Sequence, residues 1–256
     1  MSTLLAAAVS TLVFCAPGYP GGASDAQPFV DQFAAAAVKA AGWQGSLAAI
    51  YDPTDEGSVA KLASPDAVLA FVPYPFFVEH SAGLHLTPLA QADVEGTGTQ
   101  QRWSLVAKTG KVTGAASLGG YTILSVAGYA PDFVRHSALE SWTLPADVKI
   151  QATGQILSAL RKVASGDPLV ALLDQSQAAA LTTLPFGSDL KTVTQSAPVP
   201  VALIVVVDSR LPAARAKTFQ AGLLKLGHGG EAGDVLKNLK LQGFVMPQLP
   251  GKSATP

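Results

Sequence analysis

The chain has 256 residues, of which 48% are hydrophobic and only 14% charged, with a formal net charge of -1 at pH 7. That composition supplies a sizeable core and excludes a disordered chain or a coiled coil. The 17 basic residues are scattered, which excludes nucleic acid as the main partner, and no apolar run is long enough to span a membrane as a helix.

Taken in order, residues 1–10 read as a clipped signal peptide or a disordered start. Leu4 to Val9 looks like the end of an apolar signal region, and Ala8-Val9-Ser10 offers small residues at a cleavage position, without the usual basic segment ahead of them. Thr11–Ala16 reads as a buried strand that opens into the turn-rich Pro17-Gly-Tyr-Pro-Gly-Gly22. Asp25–Ala41 places Phe29, Phe33, Ala37 and Ala40 at helical spacing, and Gly42 follows where helices end in a left-handed residue. Leu47–Tyr51 is a second strand. Thr54–Leu62 is a short helix with a threonine cap and an acidic first turn. Ala67–Val72 reads as a strand running into Pro73-Tyr74-Pro75, Phe76–Ala82 as a helical turn, and Leu84–Leu89 as a strand.

The pattern breaks at Gln91–Gln101, where Gly96 and Gly98 mark a linker. It resumes with strand Trp103–Lys108, strand Tyr121–Val126, helix Ala130–Trp142, strand Val148–Ala152, helix Gln155–Ala164, strand Leu169–Leu173 and helix Gln175–Leu184. Ser196-Ala-Pro-Val-Pro200 is a second linker. Strand Val201–Val207 follows it. Helix Pro212–Leu226 comes next, with proline at its first position, then helix Glu231–Leu239 and a frayed polar tail. Two α/β series with an outward and a return crossover predict an α/β protein of two doubly wound lobes, 11–98 with 199–256 as the first and 99–198 as the second. A single continuous doubly wound domain is the alternative.

Motifs for enzymatic chemistry are missing. There is no HExxH, GxSxG or phosphate-binding loop, and Gly227-His-Gly229-Gly-Glu-Ala232 follows a helix rather than a strand, so it does not read as a dinucleotide site. His80, His85, His136 and His228 lack metal-ligand spacing, and the lone Cys15 excludes an internal disulfide, so no metal or cofactor is expected. Ligands of open α/β sheets sit beyond the carboxyl ends of the strands. The residues expected there are Tyr19 and Gly21, then Tyr74, Phe76 and Phe77, then Ser125, Gly128 and Tyr129, and finally Asp174 and Gln175, with Trp103 at the crossover. The bland reading of the same residues is ordinary turn chemistry and core packing.

Several of these pieces carry a resemblance: Ala67-Val-Leu-Ala-Phe-Val-Pro-Tyr74, Trp103-Ser-Leu-Val-Ala-Lys108, Ser117-Leu-Gly-Gly120, Ser125-Val-Ala-Gly-Tyr-Ala-Pro131, Leu157 to Asp167, and Val170-Ala-Leu-Leu-Asp174. In order and spacing they are similar to the periplasmic substrate-binding proteins of the phosphonate/phosphite type, within the two-lobed type II class. The resemblance implies lobes joined by two crossing strands, a ligand between them, a membrane transporter component as partner, a periplasmic monomer and no catalysis. It also places Tyr74, Ser125, Gly128, Tyr129 and Asp174 where members of that family touch ligand. One departure matters: the family's helix-start loop reads Ser-x-Ser-Gly, and here Ala127 replaces the second serine. A missing charge-assisted hydroxyl weakens an oxyanion site by about 1.5–3 kcal/mol, which implies a ligand less polar than phosphonate. Related branches of binding proteins carry lipids, sterols included. The rivals are a phosphate or phosphonate binder, an enzyme on this fold, like the menaquinone-biosynthesis enzymes that resemble binding proteins, with Asp174 or Cys15 of this chain in a chemical role, and a scaffold with a collapsed cleft.

Overall fold

The computed structural model describes residues 10–19, 21–227 and 230–251; residues 1–9 of the expected signal remnant, Pro20, His228 and Gly229 lie outside them, and Ser10, the last residue of that remnant, opens the first strand. Its elements in order are β1 (Ser10–Cys15), α1 (Ala23–Ala41), β2 (Leu47–Asp52), α2 (Asp55–Leu62), β3 (Ala67–Pro73), α3 (Tyr74–His80), β4 (Leu86–Val94), β5 (Gln100–Gln101), β6 (Ser104–Lys108), β7 (Thr122–Ser125) and α4 (Pro131–Phe133), which continues as a π-helical turn Val134–Ala138. Then come β8 (Lys149–Ala152), α5 (Ile156–Ser165), β9 (Leu169–Leu173), α6 (Gln175–Ala179), β10 (Leu190–Gln195), β11 (Val199–Pro200), β12 (Ala202–Val207), α7 (Ala213–Leu223), α8 (Gly230–Asn238) and β13 (Leu241–Val245).

The strands form two mixed sheets. The first lobe is built on the order β13-β4-β12-β3-β1-β2 and the second on β10-β6-β9-β7-β8, with β5 and β11 paired between them. Strands β1, β2 and β3 are parallel, and β12 enters antiparallel between β3 and β4 after its return crossing. The crossing itself is a two-residue antiparallel ribbon, Val199 opposite Gln101 and Pro200 opposite Gln100. The type II α/β fold therefore follows from the chain leaving the first sheet after β4 and returning as β12.

Local chemistry explains the element ends. Gly42 closes α1 with φ 63, and its N–H returns to the helix carbonyls. The Thr54 side chain caps α2 by accepting from the Gly57 N–H at 3.1 Å. Edge strand β2 is covered by Gln27 of α1, which donates to the Ala49 carbonyl at 2.8 Å and accepts from the Tyr51 N–H at 3.2 Å. Arg210 donates to the carbonyls of Leu62, Ser64 and Ala67, tying the α7 side of the first lobe to the turn after α2.

Several sequence expectations change. The buried stripe of α1 is Val30, Phe33, Ala34, Ala37 and Ala41, one position round from the expected face, and Phe29 and Ala40 are exposed. β4 runs on to Val94, so half of the first expected linker is strand, and only the turn at Val94–Gly98 and the crossing ribbon remain. The helix expected over 130–142 stops at Ala138, and Gln175–Leu184 is an α-helical turn followed by a 3-10 turn. Pro212 is the N-cap of α7 rather than its first helical residue. The expected frayed tail holds β13 instead, which pairs antiparallel with β4 and covers that edge of the sheet.

Candidate functional site

Phe14 stands opposite Tyr51 of β2 and Phe71 of β3 in the strand register, so three neighbouring parallel strands carry an aromatic residue on one row. Phe14 and Phe71 stack with centroids 5.3 Å apart, and Phe33 of α1 meets Phe14 edge-on at 5.4 Å. The row lies near the carboxyl ends of β1, β2 and β3. Above it is a chamber of about 540 Å³, within the range of small-molecule sites. Its further walls are Ala26, Phe29 and Val30 of α1, Pro73, Val201 and Leu241, with Tyr19, Gly21 and Asp25 at the side of α1's start. Phe29 and Tyr19 are 40% and 42% exposed, so apolar rings reach the mouth of the chamber. A groove of about 610 Å³ between α1 and α8 is lined by Lys39, Lys225, Asp234 and alanines on helix flanks, away from the strand ends.

The two lobes meet along a packed seam. One apolar cluster runs through both, joining Val13, Val72, Tyr74 and Phe76 of the first lobe to Trp103, Val126, Ala127 and Phe133 of the second. Tyr74 meets Phe133 edge-on at 6.1 Å and stacks on Phe77 at 6.1 Å; Trp103 meets Phe133 at 5.2 Å. Phe76 is fully buried and packs on His80, whose ring nitrogen lies 2.8 Å from Asp55. Tyr74 and Phe76 are therefore core side chains, and Trp103, also buried, leaves its indole N–H unpartnered among the described residues.

The helix-start loop is occupied by its own framework. The Ser125 hydroxyl is fully buried, donates to the Leu172 carbonyl at 2.7 Å and accepts from the Ala127 N–H at 3.1 Å. A Cβ on Gly128 would sit 2.3 Å from the Gln151 carbonyl, so glycine here allows close packing against β8. Asp174 caps α6, accepting from the Gln177 N–H and the Ser176 hydroxyl at 2.8 Å each. Gln175 lines a separate polar notch with Arg102, Ser104 and Thr192.

Tyr129 packs against the seam, and Tyr19 lies at the chamber on its first-lobe side. Burial raises the Tyr129 hydroxyl well above its usual pKa, and Tyr19, Asp55, Cys15 and Glu79 add to the effect. Tyr19 shows much of its side chain to solvent, yet enclosure of its hydroxyl end, with Asp174 adding negative charge, pushes it up to about 12. The Cys15 thiol is pushed up to about 12 chiefly by burial, so it is protonated at neutral pH and unsuited to nucleophilic work.

Of the residues expected from the sequence, Tyr19 and Gly21 line the chamber, whereas Tyr74, Phe76, Phe77, Trp103, Ser125, Gly128 and Tyr129 pack in or behind the seam. Sequence reasoning missed Phe14, Phe29, Tyr51 and Phe71. The available signal was that each strand aromatic is the fifth residue of its strand, which becomes a row only once the register is known.

The family model for the phosphonate periplasmic substrate-binding protein of ABC transporters matches residues 67–249. A Xanthomonas citri protein bound to ATP is 17% identical with a TM-score of 0.68, covering 95% of this chain and 92% of its own. PhnD1 from Prochlorococcus marinus, solved with methylphosphonate, is 13% identical with a TM-score of 0.61 over 94% of this chain and 93% of its own. A binding component of an ABC phosphonate transporter from Pseudomonas aeruginosa is 15% identical with a TM-score of 0.59, covering 93% of this chain and 81% of its own. At these identities the structural likeness establishes the fold. No curated protein matches the sequence. Among the described residues no helix is long and apolar enough to cross a membrane. The match over most of its length settles the kinship: the chain belongs to the phosphonate family of periplasmic substrate-binding proteins that serve ABC transporters.

Proposed function

We propose that this protein captures a small, largely apolar ligand in the aromatic chamber of its first lobe and presents it to a membrane transporter. The observation that carries the reading is the row Tyr51–Phe14–Phe71, faced by Phe29 and open beside the carboxyl ends of the strands. Aromatic walls with few polar groups favour a ligand that gives up apolar surface to water reluctantly and to the chamber readily. The helix-start loop supports the same conclusion: the Ser125 hydroxyl is committed to backbone partners and Ala127 offers none, so the loop lacks free hydroxyls for a phosphonate.

Native mass spectrometry of the freshly purified protein, followed by solvent extraction, is the test. A co-purifying lipid or other apolar metabolite, lost on Phe29→Ala and Phe71→Ala substitution, is the expected result. Tight methylphosphonate binding by calorimetry, indifferent to both substitutions, would overturn the proposal.

A further inference from the structure

Val106 of β6 packs in the small apolar cluster that α5 and α6 cover. Ser104, two residues before it on the same strand, shares that sheet face. Across the strand pair Thr192 stands opposite Val106 and Gln195 opposite Ser104, so the apolar face turns polar at its hinge end. Helix α6 lays Gln175, Ala178 and Ala179 over this corner at i, i+3 and i+4. The short alanines leave a notch of about 350 Å³ between helix and sheet, and Arg102 completes its lining. The groups in it are rich in donors. Ser104 is 1% exposed, and its hydroxyl accepts from the Gln195 amide at 3.0 Å, yet its own proton has no acceptor among the described residues. Arg102 gives one guanidinium N–H to the Ser196 carbonyl at 2.8 Å and forms no ion pair among the described residues. No carboxylate lines the notch. Asp174, next to Gln175 in the chain, spends its carboxylate on capping α6.

We propose that this notch is a binding site for a small oxyanion of the phosphate or sulfate class, with Arg102, Ser104 and Thr192 as its donors. A buried hydroxyl proton is costly without an acceptor, and an anion's oxygen supplies one. The guanidinium has five N–H donors in a planar fork, of which Ser196 uses one, and charge-assisted bonds from such a fork to an oxyanion are among the strong ones. The site lies on the outer face of the second lobe and is separate from the aromatic chamber, so it stands whether or not the chamber holds an apolar guest. It also bears on the hinge. Arg102 lies on the outgoing crossing and Ser196 on the returning one, so an anion that fixes the guanidinium fixes the clasp between them.

The experiment titrates inorganic phosphate into the full chain and follows the backbone amide resonances of Ser104, Gln175 and Thr192. Saturable shifts at these three amides are expected in the wild type. Thr192 makes no side-chain hydrogen bond among the described residues, so Thr192→Val keeps the side chain's shape and the fold while removing one donor. It should weaken phosphate by about tenfold. Arg102→Gln removes the charge and should weaken it further, whereas Arg161→Gln, which removes the same charge from the exposed side of α5, should leave the affinity as it was. Absence of saturable shifts at the three amides in the wild type overturns the assignment. So does wild-type affinity in Thr192→Val, or a loss in Arg161→Gln as large as that in Arg102→Gln, which would reduce the effect to general surface charge.

Discussion

A Cβ added to Gly18, in the loop after β1, would lie 2.3 Å from the carbonyl oxygen of Val126 in the opposite lobe. Gly18 also has φ +83, a conformation that side chains rarely adopt. One residue therefore sets both the path of the first-lobe loop and how closely the second lobe approaches it.

Gly18→Ala is expected to wedge the seam apart. Gly96→Ala is the control, because Gly96 has φ +77 but nothing within 4 Å of its missing Cβ. The control loses only about 1 kcal/mol from backbone strain. Gly18→Ala loses a further 1–3 kcal/mol or so from forced overpacking, or relieves it by opening the lobes. Urea denaturation measures the first, and small-angle scattering shows the second as a larger radius of gyration. Identical behaviour of the two variants would mean the lobes do not press on Gly18.

Cys15 should be chemically silent in the folded protein. Burial, the largest cause, outweighs the Ser58 hydroxyl and Lys61 beside it, while Asp52 and Asp55 push in the same direction as burial, and the thiol ends up at about 12. An ordinary cysteine titrates near pH 8.5, so at pH 8 the reactive thiolate here is scarcer by roughly a thousandfold. Alkylation with iodoacetamide should be negligible in buffer and rapid in urea. Fast labelling of the native protein would contradict the buried setting.

How far these features were legible in the sequence depends on which interactions fix them. Alternating apolar runs located most strands and helices, because burial of a sheet between helices writes itself into local periodicity. The doubled α/β series with its outward and return crossovers carried the two-lobed arrangement, and the resemblance at Ala67–Tyr74 and Ser125–Pro131 agreed with it. β13 escaped because Leu241–Val245 is a short edge strand with a glycine in it and little pattern of its own. The chamber escaped for a different reason. Phe14, Tyr51 and Phe71 are far apart in the chain and meet only through register, while Phe29 sits one step off the buried stripe of α1. Conversely, Ser125 and Asp174 looked like ligand contacts because a free hydroxyl and a buried carboxylate next to a turn read the same way as a helix cap and a strand staple.

Asp52 should give the protein part of its acid sensitivity. Burial works against its ionisation, but hydrogen bonds from Lys61 and from the Thr54 side chain and backbone outweigh that, and the carboxyl is held below its ordinary pKa. A lowered folded-state pKa means the contribution is present in full above the unfolded value, about 3.9, and is lost as pH falls through the folded value. Lys61 is partly exposed, which limits the contribution of its pair with Asp52 to about 1 kcal/mol. Asp52→Asn should therefore lower stability at pH 7, and its gap to wild type in urea melts should narrow progressively as pH falls below about 4. A gap that persists undiminished at pH 3 would assign the loss to packing instead.

Phe29 offers the cleanest separation of binding from folding. Its ring is 40% exposed at the chamber mouth, whereas Phe14 on the chamber floor is 5% exposed and wedged between Phe33 and Phe71. Phe14→Ala removes a buried ring and should cost about 3–5 kcal/mol, so any loss of binding there is confounded with loss of structure. Phe29→Ala removes a ring that is only partly covered and should cost about 1 kcal/mol, well short of Phe14→Ala. It nevertheless removes one wall against which an apolar guest packs, and truncating such a contact typically weakens binding by about tenfold or more. The neutral dye N-phenyl-1-naphthylamine, followed by its fluorescence increase, measures this directly. Wild-type dye affinity in Phe29→Ala would place the apolar site elsewhere on the molecule.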